Sequence, residues 1–169
     1  EAVEASDADV LVVGSASEGS LGQVVLGSTG DRLLHSSPVP LAISPRGYRG
    51  SKAGTVSRVT CGYPGTEDAV DVVHQAVRLT QRLHAPLRVV TFAVRGRTML
   101  TAGVGPEAED AVLASWVAQS EEALAGLRQD GVIESEVELK VVTGDSWDDA
   151  LDNAEWLDGE LLVLGSRPH

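Results

Sequence analysis

Near the start of the chain, Asp7-Ala8-Asp9-Val10-Leu11-Val12-Val13-Gly14-Ser15 passes from acidic residues through a short aliphatic run into a Gly-Ser turn. The pattern returns 151 residues later as Asp158-Gly159-Glu160-Leu161-Leu162-Val163-Leu164-Gly165-Ser166. Runs of this kind lack the in-out alternation of a half-exposed strand, so they read as parallel strands covered on both faces. A period this long is one domain, too long for a solenoid repeat. The chain therefore reads as the tail of one domain followed by most of a second, similar one.

Comparable runs lie between the two copies. Val39–Ile43, Leu87–Val94 and Val137–Val142 are rich in Val, Leu and Ile, and Arg58–Cys61 is a weaker one. Helical patterns separate them. Thr66 is placed to cap a helix with Glu67 and Asp68 in its first turn and Ala69, Val72, Val73, Ala76, Val77, Leu79 and Leu83 along one face. Pro106 suits the first turn of another, running to Arg128 with Val112, Trp116, Ala123 and Leu127 inward and Gly131 closing it. Asp145 or Ser146 caps a short helix with Trp147, Ala150, Leu151 and Ala154 spaced for burial, and a fourth helix covers about Leu21 to His35. Strand–helix alternation predicts an open, doubly wound α/β sheet. Arg46–Thr55 (RGYRGSKAGT) has no periodicity and marks a linker. The expected parts are residues 1–46, a linker over 47–55 and a second domain over 56–169.

Composition narrows the function. The chain has 169 residues, 43% of them apolar, with 13 Lys plus Arg against 25 Asp plus Glu, for a formal net charge of −12. That field repels nucleic acid and anionic membranes, so neither is an expected partner. The acidic excess falls after residue 65 and reads as solvated helix surface. No apolar run approaches the roughly 20 residues of a membrane span. Cys61 is the only cysteine, which excludes an internal disulfide framework and fits a reducing, cytoplasmic setting; it reads as a small buried residue. His35, His74, His84 and His169 show no metal-ligand spacing, and no G-x-S-x-G or H-E-x-x-H occurs. Neither a metal site nor a catalytic residue is expected. Trp116, Trp147 and Trp156 read as packing residues.

Binding chemistry concentrates in Gly14-Ser15-Ala16-Ser17-Glu18-Gly19 and the later Gly27-Ser28. A glycine loop at the carboxyl end of a parallel strand, with free helix N–H groups and the hydroxyls of Ser15, Ser17 and Ser28, makes an anion cradle. A tight turn explains the same glycines equally well. Gly22-x4-Gly27-Ser28 lacks the lysine of a Walker loop. Gly103-x-Gly105-x2-Ala108 mimics a dinucleotide fingerprint, but Arg95–Ala102 separates it from its strand, and Glu107 and Glu109 would repel a pyrophosphate.

The order strand, Gly14, Gly27-Ser28, helix, then Ser37-Pro38-Val39-Pro40-Leu41-Ala42-Ile43, resembles the C-terminal third of a universal stress protein domain. Arg58 to His169 resembles the first four strands of a second such domain, in tandem. The resemblance implies a Rossmann-like, parallel, five-stranded sheet and a non-catalytic role in stress response. ATP-binding members of the family carry Gly-x2-Gly-x9-Gly-Ser/Thr for phosphates and ribose, plus an Asp after the first strand for adenine. At matching positions this implies Gly14, Ser15, Ser17, Gly27 and Ser28 as nucleotide contacts, with Gly165 and Ser166 in the second copy. The implied ligand is ATP or another adenine nucleotide, with no metal beyond the Mg that accompanies ATP.

Three departures bear on that site. Ser17 stands where the second glycine belongs, Pro168 does so in the second copy, and Gly65 falls about where the Asp is expected, with Asp68 nearby. The implied site is degraded, and a structural or interaction domain without nucleotide stays open as the other reading. The family also implies self-association through an edge strand. Pro38 and Pro40 suit an edge, so a contact centred on Val39, Leu41 and Ile43 is expected, and the identity of any other protein partner is left open. The missing final helix and strand fit either a truncated tandem protein or a circular permutation in which the N-terminal segment completes the second sheet. Under permutation Val10–Val13 and Leu161–Leu164 compete for one slot, which favours truncation.

Overall fold

The computed structural model describes residues 8–18, 20–95 and 106–166. They form two compact units, one made of the residues up to Gly50 together with Ser166 and one spanning Ser51–Gly165. The first holds β1 (Leu11–Gly14), α1 (Ser28–Ser36) and β2 (Leu41–Ser44), with the strands parallel from Leu11↔Leu41 to Gly14↔Ser44. The second holds β3 (Val59–Gly62), α2 (Val70–Leu83), β4 (Leu87–Val94), α3 (Pro106–Gln129), β5 (Glu138–Gly144), α4 (Trp147–Asp152) and β6 (Leu161–Leu164). Its sheet is parallel throughout, in the order β5-β4-β3-β6.

The α/β class and the parallel sheet are those expected. Among the described residues the second unit has four strands and the first has two. β1 and β2 pair with each other, and β6 pairs with β3. Among the described residues, no helix is long and apolar enough to cross a membrane.

The second unit is built on β3, whose four residues are all buried. Val59, Cys61 and Val89 meet Val73 and Ala76 of α2 and Leu124 and Leu127 of α3 on one face. Val90 and Val142 meet Ala150 and Ala154 on the other. Each fully buried aliphatic side chain stabilises this arrangement by about 1.5–3 kcal/mol. Gly144 lets α4 approach, since a Cβ there would lie 2.4 Å from the Ala150 nitrogen. Ser146 caps that helix by accepting from the Asp149 N–H at 3.1 Å.

Several local expectations fail. The first-unit helix begins at Ser28, not near Leu21, because Val25 is bonded to Ser15, ten positions earlier, which holds the preceding stretch as a loop. Thr66 makes no side-chain cap bond; a 3-10 turn over Glu67–Ala69 precedes α2, and Ala69 N–H donates to Thr66 O. Val112 and Trp116 are 47% and 45% exposed rather than inward, whereas Leu127 is buried and Ala123 packs on the core. A 24-residue helix is about 36 Å long and an eight-residue strand about 27 Å, so part of α3 outruns the sheet. Trp147 is 61% exposed, lying against Phe92 with ring centroids 5.9 Å apart.

Candidate functional site

In the first unit the glycine loop is a closed structure. Ser15 N–H donates to Ser44 O at 2.9 Å, extending the β1–β2 ladder by one residue. The Ser15 hydroxyl then accepts from Val25 N–H at 2.7 Å and donates to Val25 O at 3.2 Å, while Ala16 N–H donates to the same carbonyl at 2.8 Å. These bonds pin the end of β1 to the start of α1. Gly27 is the N-cap of α1, and a Cβ there would lie 3.4 Å from the Ala16 Cβ. Gly22, at φ +83°, lets the tip turn back so that its N–H reaches Arg46 O at 2.9 Å.

The structure thus brings Gly14, Ser15, Gly27 and Ser28 together at the carboxyl end of β1. Gly14 has open space beyond its Cα, and Ser28 is exposed in the first turn of α1, where helix N–H groups have no acceptor within the helix. Ser17 lies in an exposed turn. Two features work against a bound anion: the Ser15 hydroxyl is committed to Val25, and Asp31 stands in the first helical turn.

In the second unit the chain runs from β3 through β4 to β5 on one side and returns to the other side of β3 as β6, so the carboxyl ends of β3 and β6 flank a topological switch point, the usual ligand position in such sheets. Gly62 pairs with Leu164, so the Gly62–Thr66 turn and Gly165 follow neighbouring strand ends. Gly165 backs onto Val72, with a Cβ position 3.5 Å from the Val72 Cβ. Gly65 adopts φ +82°, a left-handed turn that favours glycine over the expected Asp, and Asp68 falls in the 3-10 turn. Burial pushes the Tyr63 hydroxyl up, and Glu67, Asp130 and Asp68 push it further. The negative charge of Glu67, Asp130 and Asp68 makes this neighbourhood unfavourable to phosphate. Gly103, Gly105, Gly19 and Pro168 lie outside the described residues. Cys61 is fully buried and its thiol is pushed up to about 12 by desolvation, so it is no nucleophile.

The family model of the universal stress proteins matches residues 1–45 and 55–169. The chain belongs to that family. A universal stress protein of Mycobacterium tuberculosis is 51% identical over 168 residues, and this chain spans 57% of that relative's length. A crystal structure described as a universal stress protein from Pseudomonas aeruginosa aligns over 85% of this chain and 47% of its own, at 13% identity and a TM-score of 0.52, a likeness of fold alone. A universal stress protein solved in complex with cAMP aligns over 52% of this chain and 61% of its own, at 20% identity and a TM-score of 0.32.

One cluster escaped sequence reasoning. Arg88 is 1% exposed, yet it sits inside the aliphatic run Leu87–Val94 and pairs with Glu160 at 2.8 Å. Glu160 also meets Arg58 at 2.9 Å. The legible signal was a full charge inside a strand read as covered on both faces, which demands a buried partner. This cluster lies at the amino ends of β3, β4 and β6, away from the glycine turns.

Proposed function

We propose that this chain is a non-catalytic stress-response module that takes an adenine nucleotide, ATP with its Mg, at the Gly14–Ser28 loop, and acts in the cytoplasm. The observation that supports it is the closed loop itself. Ser15 and Val25 hold the end of β1 against the start of α1, so Gly14, Gly27, Ser28 and the leading helix N–H groups stand ready before any ligand arrives. Ser28 and the glycine amides are donors that bind phosphate without activating water, and Ser17 adds a hydroxyl at the rim. Gly165 and Ser166 form the weaker second position. Assembly is through the β2 edge, with Val39, Leu41 and Ile43 at its centre.

Thermal unfolding with and without ATP tests the reading. At about a hundred times the dissociation constant, ligand should add about 2.7 kcal/mol of stability and raise the Tm. Ser28→Ala with Gly27→Val should abolish that rise while the ligand-free Tm stays within a few degrees. The alternative, an interaction domain without nucleotide, is favoured by the commitment of Ser15 and by Asp31 at the helix start. It predicts no ATP shift in either protein. Light scattering at micromolar concentration tests assembly: a dimer is expected, and a monomer would contradict the edge-strand contact.

A further inference from the structure

The basic stretch that reads as a linker does not behave as one along its whole length. From Ser51 it is docked on the second unit. Lys52 N–H donates to the Asp158 carboxylate at 2.9 Å, and Ser57 N–H donates to Gly159 O at 3.1 Å. The Ser51 hydroxyl donates to Thr55 O at 2.8 Å, closing the turn against Gly159; a Cβ on Gly159 would stand 2.4 Å from the Ser51 Cβ. Gly159 is also at φ +77°, so both the space and the backbone there require glycine.

The loop it docks against, Glu155–Glu160, is held by polar contacts that converge on one carboxylate. Glu160, with its side chain 2% exposed, accepts from Arg58 Nη2, Arg88 Nη2 at 2.8 Å, the Thr60 hydroxyl and Leu157 N–H at 2.8 Å. Arg58 reaches on to Glu155 O at 3.0 Å and Glu138 at 3.2 Å. Glu155, at φ +55°, is tied to Lys140. Arg88 covers Trp156 at 5.4 Å and donates to Ala154 O at 2.6 Å.

Apolar anchoring of these two segments is sparse. Lys52–Thr55 and Glu155–Asp158 are exposed, and Val56 is the strap residue packed on the main core. Segments held by polar contacts over little buried apolar surface occupy the low end of a protein's opening free energies.

We propose that Ser51–Arg58 and Glu155–Glu160 form a latch that opens and closes as one unit, with Glu160 as its catch. Neither half leaves alone. Lifting the strap takes Arg58 from Glu160 and leaves a buried carboxylate short of a donor. Releasing the loop strips Lys52 and Ser57 of their acceptors. The latch sets where the chain enters the second unit, beside the first residue of β6, where Leu161 N–H donates to Arg58 O.

Hydrogen exchange of the full chain, read by mass spectrometry, tests this. In the wild type, amides of 51–58 and 155–160 should exchange through a common opening, faster than those of β3, β4 and β5. Glu160→Gln should speed exchange in both segments at least tenfold, and by a larger factor than in β4 and β5. Should Glu160→Gln unfold the unit, Asp158→Ala carries the test, since it removes the Lys52 contact and leaves Glu160 intact. It too should accelerate both segments together. Acceleration of 51–58 alone, or no change in Glu160→Gln, would overturn the latch.

Discussion

The two Gly-Ser turns share a sequence pattern and stand in opposite surroundings. Gly14-Ser15 ends a strand paired only with β2 among the described residues; Val12 is 66% exposed, and no described residue up to Gly50 is buried. Gly165-Ser166 ends a strand lying against the wholly buried β3, and Gly165 backs onto Val72. Long-range polar bonds from Ser15 to Val25 shape the first turn, whereas apolar packing shapes the second. A short pattern specifies a strand and its turn; what the turn can do is decided by its neighbours.

The largest test of this contrast removes a buried charge. Arg88→Ala should cost about 3–5 kcal/mol in urea unfolding, because Glu160 would stay buried with its donors depleted. Arg32→Ala in α1, which loses an exposed bond to Ser28 O, should stay within about 0.5 kcal/mol. Equal costs would break the comparison. Next come two strand-ending glycines. Gly144→Ala drives a Cβ into the α4 backbone and should cost about 1–3 kcal/mol. Gly14→Ala meets open space and should be neutral or slightly stabilising. Smaller again is Ser146→Ala, which should cost about 1 kcal/mol through its lost cap, while α1, capped by a glycine, has no such bond to lose.

Acid should act gradually, through the second unit. Burial raises the Glu160 carboxyl, but bonds from Arg58, Thr60 and Leu157 N–H and the Arg88 charge outweigh it and hold the group below the usual range. A carboxyl depressed by folding stabilises above its unfolded value, about 4.3, and that stabilisation is lost as pH falls through the lower folded value. The urea midpoint should therefore be steady down to about pH 5 and fall below it, and Glu160→Gln should flatten the fall. A midpoint that rises on acidification would contradict this assignment.

Much of the second unit was legible because its strands are continuous aliphatic runs: Leu87–Val94 and Leu161–Leu164 are the strands themselves. The α1 start was not. Leu21, Val24 and Val25 have helical spacing, and only the remote bonds of Ser15 make that stretch a loop. Trp147 carried the right spacing too, but α4 is six residues long and covers too little of the sheet to bury it. The Arg88–Glu160 pair, 72 positions apart, becomes visible only once β4 and β6 are known to flank β3. Of the site, the glycines and serines could be named from the sequence; the use of Ser15 as a staple could not.

The central claim is that nucleotide binds at the first turn and not equally at the second. Backbone amide chemical shifts followed during an ATP titration test it most directly. Shifts at Gly14–Ser17 and Gly27–Gly30, with Gly165 and Ser166 little moved, are the expected result. A spectrum unmoved at millimolar ATP, or shifts confined to Gly62–Thr66 and Gly165–Ser166, would contradict it.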